Sequence, residues 1–258
     1  MEQHKLNPTQ RFSDRVDNYV KYRPTYPTEL FTFLAETLGL KTEQTVVDVG
    51  SGTGIFSGLL LKGGYHVVGV EPNPEMRKAS EELLGGYEKF RNVDGRSDAT
   101  GLPDASADFI TAAQAFHWFE PIGTRREFMR ILRPGGLVVL IWNDRRSTET
   151  PFAAEYEALI NSFSTDYRKV NHKNIVDDDI RGFLGVQGFG KKSFFNFQDL
   201  DFDGLVGRLT SSSYAPNVDH PKYPEMVTAL RDLFEKYQAS EMVKIEYDAK
   251  IYYGQLMP

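Results

Sequence analysis

Apolar residues in the first 150 positions fall in short β-branched runs that alternate with longer segments of helical character. Helix-forming stretches such as PNPEMRKASEELLGG lie between the runs, with prolines at the start and a Gly-Gly pair at the end. Strands that alternate with helices are typical of a parallel, doubly wound α/β sheet with right-handed crossovers. The predicted strands are Thr45–Gly50, His66–Glu71, Lys89–Val93, Asp108–Phe116 and Leu137–Trp142.

The pattern changes after residue 150. Two segments, Ser193–Phe202 and Val243–Gly254, have strand character, and the second alternates apolar and polar residues. We therefore predict an antiparallel edge added to the parallel sheet. The span from Thr150 to Gln187 lacks a clean period and is predicted to be helical and mobile. Between the two late strands, one helical stripe of apolar residues is formed by Met226, Leu230, Leu233, Phe234 and Tyr237.

Composition narrows the possible function classes. The 258 residues include 30 Lys and Arg against 36 Asp and Glu, and the formal net charge of −6 argues against a nucleic-acid partner. The chain has no cysteine, which excludes disulfides, Cys-ligated zinc, iron–sulfur clusters and thiol nucleophiles. The sequence shows neither a secretory signal nor an apolar run of membrane length. We expect a cytoplasmic protein without a membrane partner, either a monomer or a homodimer.

Glycine and polar residues stand where the predicted parallel strands end. GSGTG follows the first strand, Glu71 ends the second, and the later strands lead into Asp98, Gln114 and Arg145. In an open α/β sheet, ligands bind outside the carboxyl ends of the strands. Glu71 stands 21 residues after Gly50, about the spacing at which an acidic side chain reaches ribose hydroxyls. These features predict a cleft for a ligand that contains a ribose.

The glycine motif differs from that of dinucleotide-binding proteins. Their G-x-G-x-x-G signature has a third glycine that permits close packing of helix and strand. Here that position is Ile55 or Ser57, depending on the starting glycine, and the chain reads G-x-G-x-G. A NAD(P)-dependent oxidoreductase is therefore the less favoured reading, although it remains an alternative.

Five segments together resemble the class I S-adenosylmethionine-dependent methyltransferases. They are VVDVGSGTG, VEPNPEM, SDATGLPDASADFI, FHWF and LRPGG. The subgroup that they resemble is methyltransferase type 11, which includes trans-aconitate methyltransferase-like enzymes. The resemblance implies a Rossmann-like sheet of seven strands, mostly parallel with an antiparallel last strand, plus helical lid elements. It also implies one domain over residues 1–258, with a cofactor-binding core at 12–145 and the lid and final strands at 146–258.

The resemblance also implies roles for individual residues. Asp48 and the turn of Gly50, Ser51, Gly52 and Gly54 would hold the methionine moiety of S-adenosylmethionine, and Glu71 would bind its ribose. The residues implied to surround the adenine and the rest of the cofactor are Pro72, Asp98, Ala99 and Gln114, with Tyr19 and Arg23 on an N-terminal lid. The product would be S-adenosylhomocysteine, and no metal site is implied. Each residue also has a structural alternative, such as a turn cap for Asp98 or a core position for His117.

The methyl acceptor is predicted to be a small molecule, and two chemistries stay open. A hydroxyl or amine acceptor needs a general base, for which His117 is the candidate. A carboxylate acceptor needs no base but favours a cation such as Arg23 or Arg145. A third possibility is a protein that binds the cofactor without catalysing a reaction.

Overall fold

The computed structural model describes residues 15–170, 174–185 and 188–256. The strands in chain order are β1 (Thr45–Val49), β2 (His66–Val70), β3 (Phe90–Val93), β4 (Ala107–Ala113), β5 (Leu132–Arg145), β6 (Gly190–Leu200) and β7 (Val243–Gly254). They form one seven-stranded sheet in the order β3-β2-β1-β4-β5-β7-β6. The first five strands pair in parallel, and β7 is antiparallel to both β5 and β6. The predicted fold class is thus confirmed, including the antiparallel last strand.

Helices connect the strands and extend the C-terminal half. They are α1 (Val16–Tyr22), α2 (Thr28–Glu36), α3 (Ile55–Lys62), α4 (Pro74–Leu84), α5 (Pro121–Ile131), α6 (Pro151–Phe163), α7 (Tyr167–Val170), α8 (Asp177–Leu184), α9 (Phe202–Thr210) and α10 (Tyr223–Tyr237). None of those in the described ranges combines the length and the apolar character that crossing a bilayer requires.

Local sequence explains where the helices that flank the cleft begin. Asn73 caps α4, because its side chain accepts the N–H of Met76 at 2.9 Å and a proline follows at the first helical position. Glu120 caps α5 in the same manner, accepting the N–H groups of Ile122 and Gly123. Both helices therefore start directly beside the carboxyl edge of the sheet.

Among the described residues, the buried apolar side chains form three clusters. One cluster packs on the face of the sheet that carries α5 and α8, and it includes Phe116, Phe128 and Phe183. A second cluster covers the opposite face, where α2 and α3 contribute Leu30 and Leu60. The third joins α6, α9 and α10 to the inner side of β6 and β7. The apolar stripe predicted on α10 lies in this third cluster: Met226, Leu230, Leu233 and Phe234 are buried and Tyr237 is partly buried.

Several sequence predictions differ from the structure in their boundaries. The strand predicted at Ser193–Phe202 is β6 at Gly190–Leu200, because Asp201 caps α9 and Phe202 begins that helix. The fourth strand ends at Ala113, and Phe116–Trp118 form a 3₁₀ turn, because Gln114 has a left-handed φ that breaks the strand. The fifth strand begins at Leu132, so the RPGG segment lies inside it. In the span from Thr150 to Gln187 the structure places α6, α7 and α8, while its predicted mobility stays a prediction. The parts of these predictions at 1–14, 171–173, 186–187 and 257–258 lie outside the described residues, and the domain division at 145/146 also stays a prediction.

Candidate active site

Two adjoining cavities lie at the carboxyl ends of the parallel strands. The larger has a volume of about 470 Å³ and extends from the ends of β1 and β2 to the loop after β3. The smaller, of about 120 Å³, lies towards the ends of β4 and β5 and the C-terminal helices. The two cavities share part of their walls, so they are two compartments of one cleft, and the shared residues lie at the boundary between them. The residues common to both walls are Tyr19, Gly50, Ala113, Gln114 and Trp118.

The turn after β1 presents backbone to this cleft. Gly50 and Gly52 both have a left-handed φ, of 69° and 57° respectively. A Cβ at Gly50 would lie 2.6 Å from the Cβ of Ala115, so no side chain fits between the turn and the end of β4. A Cβ at Gly52 would meet nothing within 4 Å, and Gly52 lines the larger cavity. The turn thus leaves room for a ligand directly against its backbone.

Glu71 closes the wall of the larger cavity at the end of β2. It is buried, and its carboxylate accepts the N–H of Gly52 on one oxygen and the N–H of Asn73 on the other, both at 2.9 Å. Burial raises the pKa of Glu71, and the two hydrogen bonds oppose that shift. Each carboxylate oxygen can accept more than one hydrogen bond, so both keep capacity for a pair of ribose hydroxyls. The predicted neighbour Pro72 also lines this cavity.

The far end of the larger cavity is formed by the loop after β3. Asp98 lines it and forms a two-point ion pair with Arg96, with both nitrogen–oxygen distances at 3.0 Å. This pairing lowers the pKa of Asp98. Ala99 is outside both cavity walls, and its N–H donates to the carbonyl of Arg96 at 3.1 Å. The contact of Ala99 with the adenine stays a prediction.

Asp48 and Gly54 stand behind the turn rather than in the cavity walls. The Asp48 carboxylate is 1% exposed and accepts hydrogen bonds from Ser57 at 2.7 Å and Thr111 at 2.9 Å. Burial raises its pKa to about 6. Gly54 precedes the first residue of α3 and lies against the side chain of Leu84, the last residue of α4. Both residues support the turn from behind, and the ligand contact expected of Asp48 stays a prediction.

Gln114 lies on the boundary between the two cavities. Its φ of 59° places a non-glycine residue in the left-handed region, which costs of order 1–3 kcal/mol. Its backbone N–H is held by the carbonyl of Ile141 at 2.8 Å. Strained residues of this kind cluster at binding sites, where the surrounding structure fixes them. Gln114 lines both cavities, and its side-chain amide donates to the carbonyl of Asn143 at 3.5 Å.

The smaller cavity contains the other predicted residues. His117 and Ser51 line it, and the Nδ1 atom of His117 accepts the indole N–H of Trp142 at 3.4 Å. Arg23 and Arg145 line it as well, so the structure places Arg23 here rather than in the larger cavity. Tyr19, the other predicted lid residue, lines both cavities from α1.

Three arginines give the smaller cavity a strong positive charge. Arg145 forms an ion pair with Glu157 and also donates to the hydroxyl of Tyr167 at 3.3 Å. Arg208 is buried on α9 and donates to the Tyr247 hydroxyl at 3.1 Å. Burial, and after it the nearby Arg208 guanidinium, lowers the pKa of Arg23. Among the described residues, the ion pair of Arg145 with Glu157 leaves an excess of positive charge in this wall, which suits the cavity to an anion.

Sequence reasoning did not single out Arg208 or Tyr214. Tyr214 lines the smaller cavity with its ring 4.6 Å from that of Tyr167. Burial acts to raise the pKa of Tyr214, but Arg145 and Arg208 lower it overall. A signal for Arg208 was present, because it stands between Leu205 and Leu209 on the apolar side of α9. Tyr214 follows α9 in a short connection and carries no comparable pattern.

Within the described ranges, no group of three or more His, Asp or Glu side chains is arranged to hold a metal ion.

Comparison with known proteins finds relatives of the central part of the chain. Residues 47–140 match a methyltransferase domain family of type 11. An uncharacterized methyltransferase of Mycobacterium tuberculosis is 35% identical over 134 residues, which is 52% of each chain, so the alignment spans about half of that relative's length. An uncharacterized methyltransferase-like protein of Schizosaccharomyces pombe is 28% identical over 257 residues, 96% of each chain.

Solved structures share the fold at low sequence identity. A protein from Anaeromyxobacter dehalogenans described as a type II methyltransferase has a TM-score of 0.64 and 22% identity, covering 92% of this chain and 99% of its own. A phosphoethanolamine N-methyltransferase of Haemonchus contortus, solved with S-adenosyl-L-methionine, has a TM-score of 0.58 and 14% identity, covering 100% of this chain and 60% of its own. The trans-aconitate-like subgroup stays a prediction. The sheet order and the glycine turn agree with the family match, and residues 47–140 are those of a methyltransferase domain of type 11.

Proposed function

We propose that this protein transfers a methyl group from S-adenosylmethionine to a small anionic acceptor. The observation that carries the proposal is the divided cleft, in which a ribose-type wall lies on one side of Gln114 and an arginine-rich cavity on the other. The fold neighbour solved with S-adenosyl-L-methionine supports the choice of cofactor.

The larger cavity fits the cofactor's chemical parts. Glu71 would accept the ribose hydroxyls, and apolar side chains of Pro72, Met76 and Phe119 would flank the adenine. The Gly52 backbone leaves the space against which the methionine part would lie. When bound, the cofactor supplies a methyl group that its sulfonium charge already activates. The protein's share is then to position the acceptor, and such positioning provides up to about 7–11 kcal/mol.

The smaller cavity favours a carboxylate over a neutral acceptor. Guanidiniums bind carboxylates through paired hydrogen bonds, and Arg23, Arg145 and Arg208 all line this wall. A carboxylate is nucleophilic without losing a proton, so no general base is needed. His117 remains a candidate base for a hydroxyl or amine acceptor. Tyrosine and tryptophan rings at the boundary, Tyr19 and Trp118, would attract the sulfonium without competing as nucleophiles.

Calorimetry separates the proposed cofactor from its alternative. We expect S-adenosylmethionine and S-adenosylhomocysteine to bind with micromolar Kd and NADH to show no binding. The oxidoreductase alternative predicts that NADH binds and that the other two do not. Against it, the position of the third glycine in a dinucleotide motif is occupied by Ser57, which is buried and donates a hydrogen bond to Asp48. Binding of NADH alone would overturn the proposal.

Turnover separates an enzyme from a cofactor-binding protein. Transfer of a labelled methyl group should be measured over a panel of small mono-, di- and tricarboxylic acids, with the matching alcohols and amines as controls. We expect esters to form and their rate to change little from pH 6 to pH 9. Methylation of alcohols or amines alone, with a rate that rises with pH, would contradict a carboxylate acceptor and favour His117 as a base. A cytoplasmic location and a monomeric or homodimeric state also remain proposals.

A further inference from the structure

The N-terminal helix α1 is fastened to the C-terminal end of α9. Arg15 donates to the carbonyls of Thr210 at 2.9 Å and Ser212 at 2.6 Å, and Arg23, just after α1, donates to the carbonyl of Ser211 at 2.8 Å. The last carbonyls of a helix lack partners within it and carry partial negative charge, so cations stabilise this end. We call the contact between α1 and this end of α9 the α1–α9 seam.

The seam is closely packed along its length. A Cβ at Gly207 of α9 would lie 2.1 Å from the ring of Tyr22, so only glycine allows α1 to approach this near. Asn18 adds a hydrogen bond to the Thr210 hydroxyl at 3.2 Å. A small displacement of α1 would therefore break several contacts together.

Two like charges, one on each side of this seam, line the smaller cavity. Arg23 belongs to the α1 side and Arg208 to α9. After burial, the Arg208 guanidinium is the next largest influence that lowers the pKa of Arg23. Throughout the described part of the chain, the polar partners of both are neutral: the Ser211 carbonyl for Arg23, and the Tyr247 and Ser212 hydroxyls for Arg208. Arg145 in the same cavity differs, because Glu157 neutralises it.

Like charges held together away from water destabilise the arrangement unless an anion lies between them. Both arginines line the smaller cavity, so an anion bound there can reach both. Such an anion would remove the repulsion across the α1–α9 seam and add hydrogen bonds from both sides. Tyr19 lies on α1, four residues before Arg23, and lines both cavities. Any tightening of the seam therefore also fixes a wall of the larger cavity.

We propose that an anionic group of the acceptor bridges Arg23 and Arg208, closes the α1–α9 seam, and thereby makes acceptor and cofactor bind with positive coupling. This inference rests on the proposed function for the identity of the two ligands. Coupling between two sites is reciprocal, so the anion raises the affinity for the cofactor by the same factor as the cofactor raises that for the anion.

Titration calorimetry with S-adenosylhomocysteine tests the coupling. The Kd should be measured in the full chain with increasing sodium malonate or sodium sulfate, at an ionic strength held constant with sodium chloride. We expect at least one of these dianions to lower the Kd about fivefold or more. In Arg208→Gln and Arg23→Gln the Kd should no longer depend on the dianion. Arg91→Gln, which removes an exposed arginine on β3, should keep the full effect.

Hydrogen exchange distinguishes failure of the coupling from failure of the proposed function. Without any cofactor, the dianions should slow exchange of the α1 amides in the wild type but not in Arg208→Gln. If S-adenosylhomocysteine does not bind while α1 is still protected, the cofactor assignment fails and the anion bridge stands. If neither dianion changes exchange in α1 or the Kd, the bridge is wrong, whatever the cofactor does. Circular dichroism and melting of each variant identify any that fails to fold, and Arg208→Lys, which keeps the charge, then replaces Arg208→Gln as a partial-loss variant.

Discussion

The carboxylate of Glu71 and the backbone N–H of Gly52 meet at 2.9 Å, which joins the end of β2 to the glycine turn after β1. The same carboxylate accepts the N–H of Asn73 with its other oxygen. One buried side chain therefore fixes the turn and leaves its remaining lone pairs on the wall of the larger cavity.

Replacing Glu71 by Gln should weaken cofactor binding. The amide keeps the shape of the side chain but places an NH₂ group against one of two backbone N–H donors and loses the charge. Hydrogen bonds to a charged group are worth about 1.5–3 kcal/mol, so we expect the Kd for S-adenosylhomocysteine to rise roughly 10- to 100-fold. Calorimetry measures this change. Glu82→Gln, an exposed position on α4, is the matched control and should bind as the wild type does.

Gly52→Ala should weaken cofactor binding, whereas Gly101→Ala, with a similar loss of stability, should not. Gly52 and Gly101 both have positive φ and open space where a Cβ would stand, but only Gly52 lines the larger cavity. We expect each alanine variant to lose about 1 kcal/mol of stability or slightly more, from the left-handed backbone. Only Gly52→Ala should also weaken S-adenosylhomocysteine binding, because its methyl group enters the cleft. Equal affinities for the two variants would show that the turn does not contact the cofactor.

Gln114→Gly should stabilise the fold and impair the reaction. Glycine accepts the φ of 59° without the strain that Gln114 bears, so the melting temperature should stay the same or rise. The variant also removes a side chain that lines both cavities, and we expect kcat to fall about tenfold or more, because the alignment of the two ligands depends on this wall. Thermal melting and methyl-transfer kinetics on one preparation measure both effects. If the variant is more stable and fully active, the backbone strain at Gln114 has no role in the reaction.

Asp48→Asn should change how stability depends on pH. Burial raises the pKa of Asp48 from 3.8 to about 6, so the folded protein binds this proton more tightly than the unfolded chain. Its contribution to stability is present below about pH 4 and is lost as the pH rises through about 6. A shift of this size corresponds to about 3 kcal/mol.

The Asp48→Asn variant should therefore gain stability relative to the wild type between pH 4 and pH 7. Urea unfolding across this range gives the difference directly. The exposed Asp219→Asn, measured in the same way, is the control for the loss of a surface carboxylate. A constant difference for Asp48→Asn would mean that the buried carboxyl does not titrate near pH 6.

The sequence by itself determined the sheet and the cofactor side of the cleft. β-Branched runs and glycine turns specify strand ends locally, and parallel strands must bring those ends to one edge. Gly52, Glu71 and Asp98 could thus be assigned to one cavity before any contact was known, and the structure puts all three in its wall. The same pattern could not show that Asp48 lies behind the cavity wall. Alternation along β1 does not reveal that its carboxylate accepts a hydrogen bond from Ser57.

Only the tertiary structure decided the composition of the smaller cavity. Arg23, Arg145 and Arg208 are as much as 185 residues apart in the chain, and they meet because α1 packs on α9 beside the end of β5. The position of Glu157 decides which arginine already has a carboxylate partner: it pairs with Arg145 and not with the other two. Charge pairing acts through space over a few ångströms, so no periodicity along the chain records it.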